Sequence, residues 1–457
     1  MEARVLLIRP LCEGDEPEFA EPLGIERLAG YLRVHGVPEV GVFDRRLYQR
    51  ERRAGLGVGS FWDDVRDWAA SGAPNVVGIS LMTESDVPDA LCVLSRAHAW
   101  WPQARLAAGG LFVTTAAAGA ARRLPAGVTL LAGEGEATLL ALVAGGTAGE
   151  GAVLTPDDWA PAYRPFVERY AALGCAVNIQ TSRGCPGTCA FCATPGLPAG
   201  LRRWQPRSLS LVANEIAREA RRLETAGLPP VFNFVDDDFG PLERAEALAD
   251  ELARRRLRVA FALEMRLASL VGQPDLATRL ARLHAAGLTR VFVGVESLDL
   301  QTLRRWHKPH DVTALPGVLA AFATAGVSLQ CGYILWHGHQ TVAGARSEAA
   351  RLRELGIYSH RAALSRLIVF EGCALARECD ERGLQRMDPA AESFYQRLSR
   401  ATEELTRTWT QAAINEPYAA AKAYLSGDDT RLVALRATLH EVNEQSFERF
   451  MREAEAL

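Results

Sequence analysis

The segment Ser182–Pro195, SRGCPGTCAFCATP, spaces Cys185, Cys189 and Cys192 with three residues and then two between them. Three thiolates so spaced can hold three irons of a 4Fe-4S cube and leave the fourth open to a substrate or cofactor, whereas a fully ligated cube only passes electrons. The open corner implies an enzyme. Zinc is the bland alternative, but its sites normally bring four Cys or His ligands in two pairs, and no second CxxC lies nearby. A ligand distant in sequence keeps zinc open. Nine cysteines in 457 residues are too sparse for a disulfide framework. The other six, Cys12, Cys92, Cys175, Cys331, Cys373 and Cys379, are scattered and read mostly as small buried hydrophobes.

The cysteine loop follows a short apolar run, AVNIQTS, and the elements around it decide where it sits. From Arg4 to about Val143 short strands (VLLIRP, EVGVFD, NVVGISLM, ARLAAGG) alternate with helical patterns such as LGIERLAGYLRVHG, which predicts a doubly wound, Rossmann-like parallel sheet. Ligands bind such sheets at the carboxyl ends of the strands, where the turns at Gly78, Gly109-Gly110 and Gly133-Glu134-Gly135-Glu136 fall; tight turning alone would also explain these glycines. Leu154 to Phe166, with three prolines, marks a linker. A second series follows, with strand candidates AVNIQTS, VFNFVDDDF, VAFALEMR, RVFVGVES, SLQCGYILW and AALSRLIVF. Six β/α units predict a partial or full barrel with its chemistry at the strands' carboxyl ends. From about Asp388 the chain reads as wholly helical, and aromatic residues there (Tyr395, Trp409, Tyr418, Tyr424) are expected to close over the barrel mouth, although such residues also serve as core. The fold class is therefore α/β. The predicted domains are a Rossmann-like domain over 1–150, a linker over 151–172, a partial barrel over 173–384 and a helical domain over 385–457.

Hydrophobic content of 48% and charged content of 23% are those of an ordinary globular protein. A net charge of −4, with arginines spread over helix faces, gives no footprint for nucleic acid. No apolar run is long enough to span a membrane, and MEARVLLIRP reads as a strand rather than a signal peptide. A cytoplasmic location is expected.

A CxxxCxxC loop after the first strand of a six-unit β/α series, with Phe191 before the last cysteine, resembles the radical S-adenosylmethionine (SAM) enzymes. The Rossmann-like domain ahead of it is similar to that of the cobalamin-binding branch. The resemblance covers about residues 3 to 380. It implies a [4Fe-4S] cluster on Cys185, Cys189 and Cys192, SAM chelated to the open iron, and cobalamin on the first domain. By position it implies that the backbone of Phe191 touches the adenine, that Asp236 or Asp237 in FVDDDF receives the SAM ammonium, and that Arg266 and Glu296 contact its ribose or carboxylate. A barrel-rim ion pair explains the last two equally simply. Ser80 and Gly109-Gly110 match the positions of the branch's tail-binding serine and glycine pair, with Gly133 and Glu134 beside them, but Arg46 stands where an axial histidine would and cannot ligate cobalt.

The fifth-strand block departs from the branch. It reads GYILWHGHQT, so Trp336, His337 and His339 replace small or apolar residues and point to a substrate adaptation, while Cys373 stands where a small hydroxyl residue is common. The expected activity is methylation of an unactivated carbon of a small metabolite or natural-product precursor, through a 5'-deoxyadenosyl radical and methylcobalamin, with an external flavodoxin- or ferredoxin-type electron donor. The alternatives are a non-methylating rearrangement or cyclisation with the same cofactors, a first domain that binds no corrin, and a non-catalytic iron–sulfur protein.

Overall fold

The computed structural model describes residues 3–12, 19–57, 59–147, 154–308, 310–370, 372–382 and 387–455. They form two compact units, Met1–Asn178 with Leu197–Pro206, and Ile179–Gly196 with Arg207–Leu457. The side chain of Cys379 lies outside the described residues.

The first unit is built on a parallel sheet ordered β2-β1-β3-β4-β5, with β1 Arg4–Arg9, β2 Glu39–Asp44, β3 Val76–Ser80, β4 Arg105–Gly109 and β5 Thr129–Leu131. Val5, Leu6, Leu7 and Ile8 of β1 are all buried, because a central parallel strand is covered on both faces. Leu6 and Ile8 join one apolar cluster with Val77 and Ile79, and Val5 and Leu7 join another with Val40 and Val42. The strand order reverses between β1 and β3. Their carboxyl ends therefore diverge and leave a crevice, the usual ligand position in such sheets.

The second sheet is ordered β10-β9-β8-β7-β6, with β6 Val177–Ile179, β7 Val231–Phe234, β8 Ala260–Arg266, β9 Leu288–Glu296 and β10 Ser328–Tyr333. Its β7 to β10 pair in parallel, and the helices Leu209–Thr225, Leu242–Arg254, Leu276–Ala285 and Leu315–Ala325 alternate with the strands. Along β9, fully buried Val291, Val293 and Val295 alternate with partly exposed Arg290, Phe292, Gly294 and Glu296. The valines pack under helices; the other set faces the barrel interior.

Two expectations need correction. The sixth strand candidate, residues 362–370, is reduced to a single bridge between Trp336 and Arg366. A helical turn, His360–Ala363, uses its first residues, and pairing begins only beyond the end of β10, where Trp336 N–H donates to the Ser365 carbonyl at 2.9 Å. The C-terminal helices do not all lie over the mouth. In the helix Glu403–Ser426, the Tyr424 hydroxyl donates to the Ala285 carbonyl at 3.0 Å and Leu425 accepts from Arg258 at 2.6 Å, contacts that precede β9 and β8 and so mark the opposite end of the strands. In the helix Pro389–Ala401, by contrast, Tyr395 packs 6.0 Å from Trp336, past the carboxyl end of β10.

Candidate functional site

The cysteine loop leaves β6 and is pinned at its root by an acid. Asp236, just past β7, accepts the backbone N–H groups of Thr181 at 2.7 Å and Ser182 at 2.5 Å, and the Thr181 hydroxyl at 2.7 Å. Along the loop, the Gly187 N–H donates to Cys185 Sγ at 3.3 Å and the Thr194 N–H to Cys192 Sγ at 3.4 Å. A Cβ on Gly187 would lie 3.3 Å from Cys185 Sγ and 3.7 Å from Cys189 Sγ, so glycine keeps the space between these sulfurs clear. All three cysteines are half-buried and unbridged. Burial pushes the Cys185 thiol up to about 11 and the Cys189 thiol upward as well, so their thiolates depend on a metal's charge.

Among the described residues, no three His, Cys, Asp or Glu side chains converge on a single-ion site. Zn–S bonds of about 2.3 Å would draw the three sulfurs tightly together. The loop offers three cysteine sulfurs, two of them with N–H···S support, and no fourth Cys or His beside them among the described residues, the donor set of a cluster with one open iron.

Of the three consecutive aspartates, Asp236 and Asp238 are buried and Asp237 is exposed. Asp236 is committed to the loop root, while Asp238 accepts Arg266 Nε at 2.9 Å, so Arg266 sits in the rim ion pair that its position allowed. Glu296 ends β9 with a φ of +68°, where the register shifts between Gly294 and Glu296, and its Oε1 accepts Lys308 Nζ at 2.6 Å. Gly294 makes room for that pair: a Cβ there would come 2.7 Å from Lys308 Nζ.

Phe191 packs edge-on to Trp306, ring centroids 5.4 Å apart, and lies 5.9 Å from Lys308 Nζ. The Ala190 N–H donates to the Trp306 carbonyl at 2.8 Å, which fixes the backbone next to Phe191. Trp306 and Lys308 were not singled out from the sequence. Lys308 carried a signal, being one of only two lysines in an arginine-rich chain; Trp306 carried none.

The fifth-strand block divides. Trp336 borders a cavity but is fully buried, with its ring against Phe394, Tyr395 and Phe450 and its indole N–H donated to the Ala363 carbonyl at 2.7 Å, so it is a core residue. His337 is 6% exposed and lies 5.1 Å from the Trp306 ring, while His339 is exposed. Cys373 is wholly buried beside Ala190, Leu375 and Ala376 and accepts the Ala376 N–H. It packs behind Phe191 rather than in the open.

In the first unit, Ser80 ends β3 opposite Gly109 of β4, and among the described residues its hydroxyl takes no hydrogen bond. Gly110, with φ +102°, lets the turn pass against the Leu81 carbonyl, where a Cβ would collide. Gly133, with φ +82°, donates its N–H to Thr114 Oγ1 at 3.0 Å; Glu134 is buried and accepts the Leu154 N–H at 2.6 Å. The sheet edge thus offers a free hydroxyl and close glycine turns, which fit a flat ligand tail. Arg46 is held by Asp86 at 2.6 Å and by the Pro10 carbonyl at 3.0 Å.

A half-buried three-cysteine loop at the carboxyl ends of the second sheet's strands is the donor set of an iron–sulfur centre. Residues 179–340 match the model of the radical SAM superfamily. Over 161 residues, 35% of this chain, it is 30% identical to the hopanoid C-2 methylase of Rhodopseudomonas palustris (strain TIE-1), and it spans 29% of that protein's length. The fold is similar to the cobalamin-dependent SAM radical enzyme OxsB, solved with aqua-cobalamin and SAM (TM-score 0.72, 16% identity, 98% of this chain and 72% of that one). It is also similar to the radical SAM methyltransferase TsrM from Kitasatospora setae, solved with cobalamin and a [4Fe-4S] cluster (TM-score 0.65, 18% identity, 85% and 80%). No helix among the described residues is long and apolar enough to cross a membrane.

Proposed function

We propose that this chain is a cobalamin-dependent radical SAM methyltransferase acting on an unactivated carbon of a small metabolite or natural-product precursor. The observation that carries the reading is the loop of Cys185, Cys189 and Cys192, three half-buried sulfurs, two of them N–H-supported, inside the segment that matches the superfamily model. Methyl transfer is supported by the relatives' names, a methylase and a methyltransferase. When bound, the cluster supplies an electron to SAM and the corrin supplies a methyl carrier.

In this reading the three cysteines hold the cluster, and Asp237, the exposed aspartate of its block, takes the SAM ammonium. The Glu296–Lys308 pair and Arg266 orient its ribose and carboxylate, and the backbone at Phe191 carries the adenine. The Phe191–Trp306 edge excludes water from that side. Ser80, Gly109, Gly110 and Gly133 hold the corrin tail, with Glu134 bracing the turn. The Arg46 guanidinium, already paired with Asp86, gives cobalt no lower ligand. The layout follows as a corrin-binding domain over 1–150, a connector over 151–172, the SAM barrel over 173–384 and a helical domain over 385–457, in a cytoplasmic enzyme served by a flavodoxin- or ferredoxin-type donor.

Anaerobic assay of the reconstituted, cobalamin-loaded chain tests this by mass spectrometry. The expected products of SAM are S-adenosylhomocysteine and 5'-deoxyadenosine. Neither appearing under any reductant overturns the reading, and a substrate product without an added methyl replaces it with a rearrangement or cyclisation.

A further inference from the structure

Beside the barrel mouth of the second unit lies a cavity of about 70 Å³, lined on one side by Arg305, Trp306, His337 and His339 and on the other by Arg366 and Glu378. His337 is 6% exposed, and its Nδ1 accepts the His339 N–H at 3.4 Å. Burial and then the nearby His339 hold its pKa down to about 4, against an opposing pull from Asp299 and with a smaller push from Arg305, so at neutral pH the ring is neutral, and the contact at Nδ1 leaves its proton on Nε2. Among the described residues no acceptor meets that N–H. The N–H edge is reached from the cavity, so a ligand there can meet it.

Arg305 closes the short helix Leu300–Arg305, is exposed, and its side chain makes no ion pair or hydrogen bond among the described residues. Arg366 differs, since Glu392 holds it at 3.0 Å. The wall therefore presents one uncommitted guanidinium and one unmet imidazole N–H to a space that holds several waters. Among the described residues Glu378 is the only carboxylate on the lining. Trp306 joins this wall to the cysteine loop, its ring 5.1 Å from His337 and 5.4 Å from Phe191.

We propose that this cavity is the subsite for an anionic oxygen group of the substrate, a carboxylate or a phosphate, bound by the Arg305 guanidinium and the His337 Nε2–H. The inference deepens the enzymatic reading above and rests on it for the word substrate. It assigns the substrate class: an anionic small molecule anchored one aromatic ring away from the SAM site. Charge-assisted hydrogen bonds of this kind are the strong ones, and the guanidinium fork suits either oxyanion.

Calorimetric titration of the reconstituted full chain with inorganic phosphate, and separately with acetate, tests it. One of the two anions is expected to bind at a single site, and the tighter one names the group. Arg305→Gln and His337→Phe, the latter keeping a ring against Trp306, should each weaken that binding at least tenfold, while cluster absorbance and the melting profile show that the variants fold. No binding of either anion, or binding that neither substitution weakens, overturns the subsite. SAM cleavage by the unsubstituted chain without substrate is measured in parallel: cleavage without anion binding sinks the subsite alone, and anion binding without cleavage sinks the enzymatic reading alone.

Discussion

Replacing Asp236 by alanine removes the acceptor of two buried backbone donors at the root of the cysteine loop. Thr181 and Ser182 are wholly buried, so no water substitutes for the carboxylate that takes both their N–H groups. An orphaned buried donor costs about 1–3 kcal/mol, so Asp236→Ala should cost about 2–6 kcal/mol and lower the apparent unfolding temperature by roughly 10 °C. The loop should lose iron with it. Asp236→Asn should behave differently. Burial lifts this carboxyl to about 6, above its unfolded value, so the folded state binds its proton the more tightly and the site loses stability as pH rises from about 4 to 6. At neutral pH a neutral isostere escapes that penalty. The amide oxygen still accepts both N–H groups and its NH2 donates to the Thr181 hydroxyl, which keeps the cost within about 1 kcal/mol. Scanning calorimetry, iron content and SAM affinity of both variants check this. An unchanged midpoint for the alanine variant, or an asparagine variant that melts normally but no longer binds SAM, would refute it, because the second result is the signature of a ligand-binding group rather than a loop anchor.

Gly294→Ala places a methyl against the Glu296–Lys308 pair; since both contacts are tips of flexible side chains, the melting temperature should hardly move while SAM affinity, read by equilibrium dialysis, falls several-fold. Trp336→Ala empties a wholly buried site among Phe394 and Phe450 and should cost about 3–5 kcal/mol in denaturant unfolding. His360 bonds Ser446 at 2.9 Å and Thr406 at 2.8 Å, and burial holds its pKa down to about 4. Its folded value lies below the unfolded 6.5, so stability is full above pH 6.5 and is lost as pH falls toward 4, about 2 kcal/mol between pH 7 and 5. His360→Gln should flatten that part of the pH dependence of unfolding.

The strands of both sheets were legible because each is a short apolar run between turn residues. The sixth run looked the same locally. What reduced it was the helical turn at His360–Ala363 and a docking point beyond β10, neither visible in a window of nine residues. The cysteines were legible because the ligand spacing lies within one loop. Trp336 stood in an unusual block and read as pocket lining, yet its partners Phe394 and Phe450 lie far along the chain and make it core. The three aspartates could not be told apart by type; burial separates Asp236 at the loop root from Asp237 at the surface. Trp306 and Lys308 reach the site from a loop whose path depends on the left-handed His307 between them, with φ +53°.

Mössbauer spectroscopy of the chain reconstituted anaerobically with 57Fe tests most directly whether Cys185, Cys189 and Cys192 hold a cluster with one open iron. Four irons per chain are expected, with SAM altering the signal of one and leaving the other three unchanged. Four irons that all ignore SAM, or a chain that takes up a single ion on these cysteines, would contradict it.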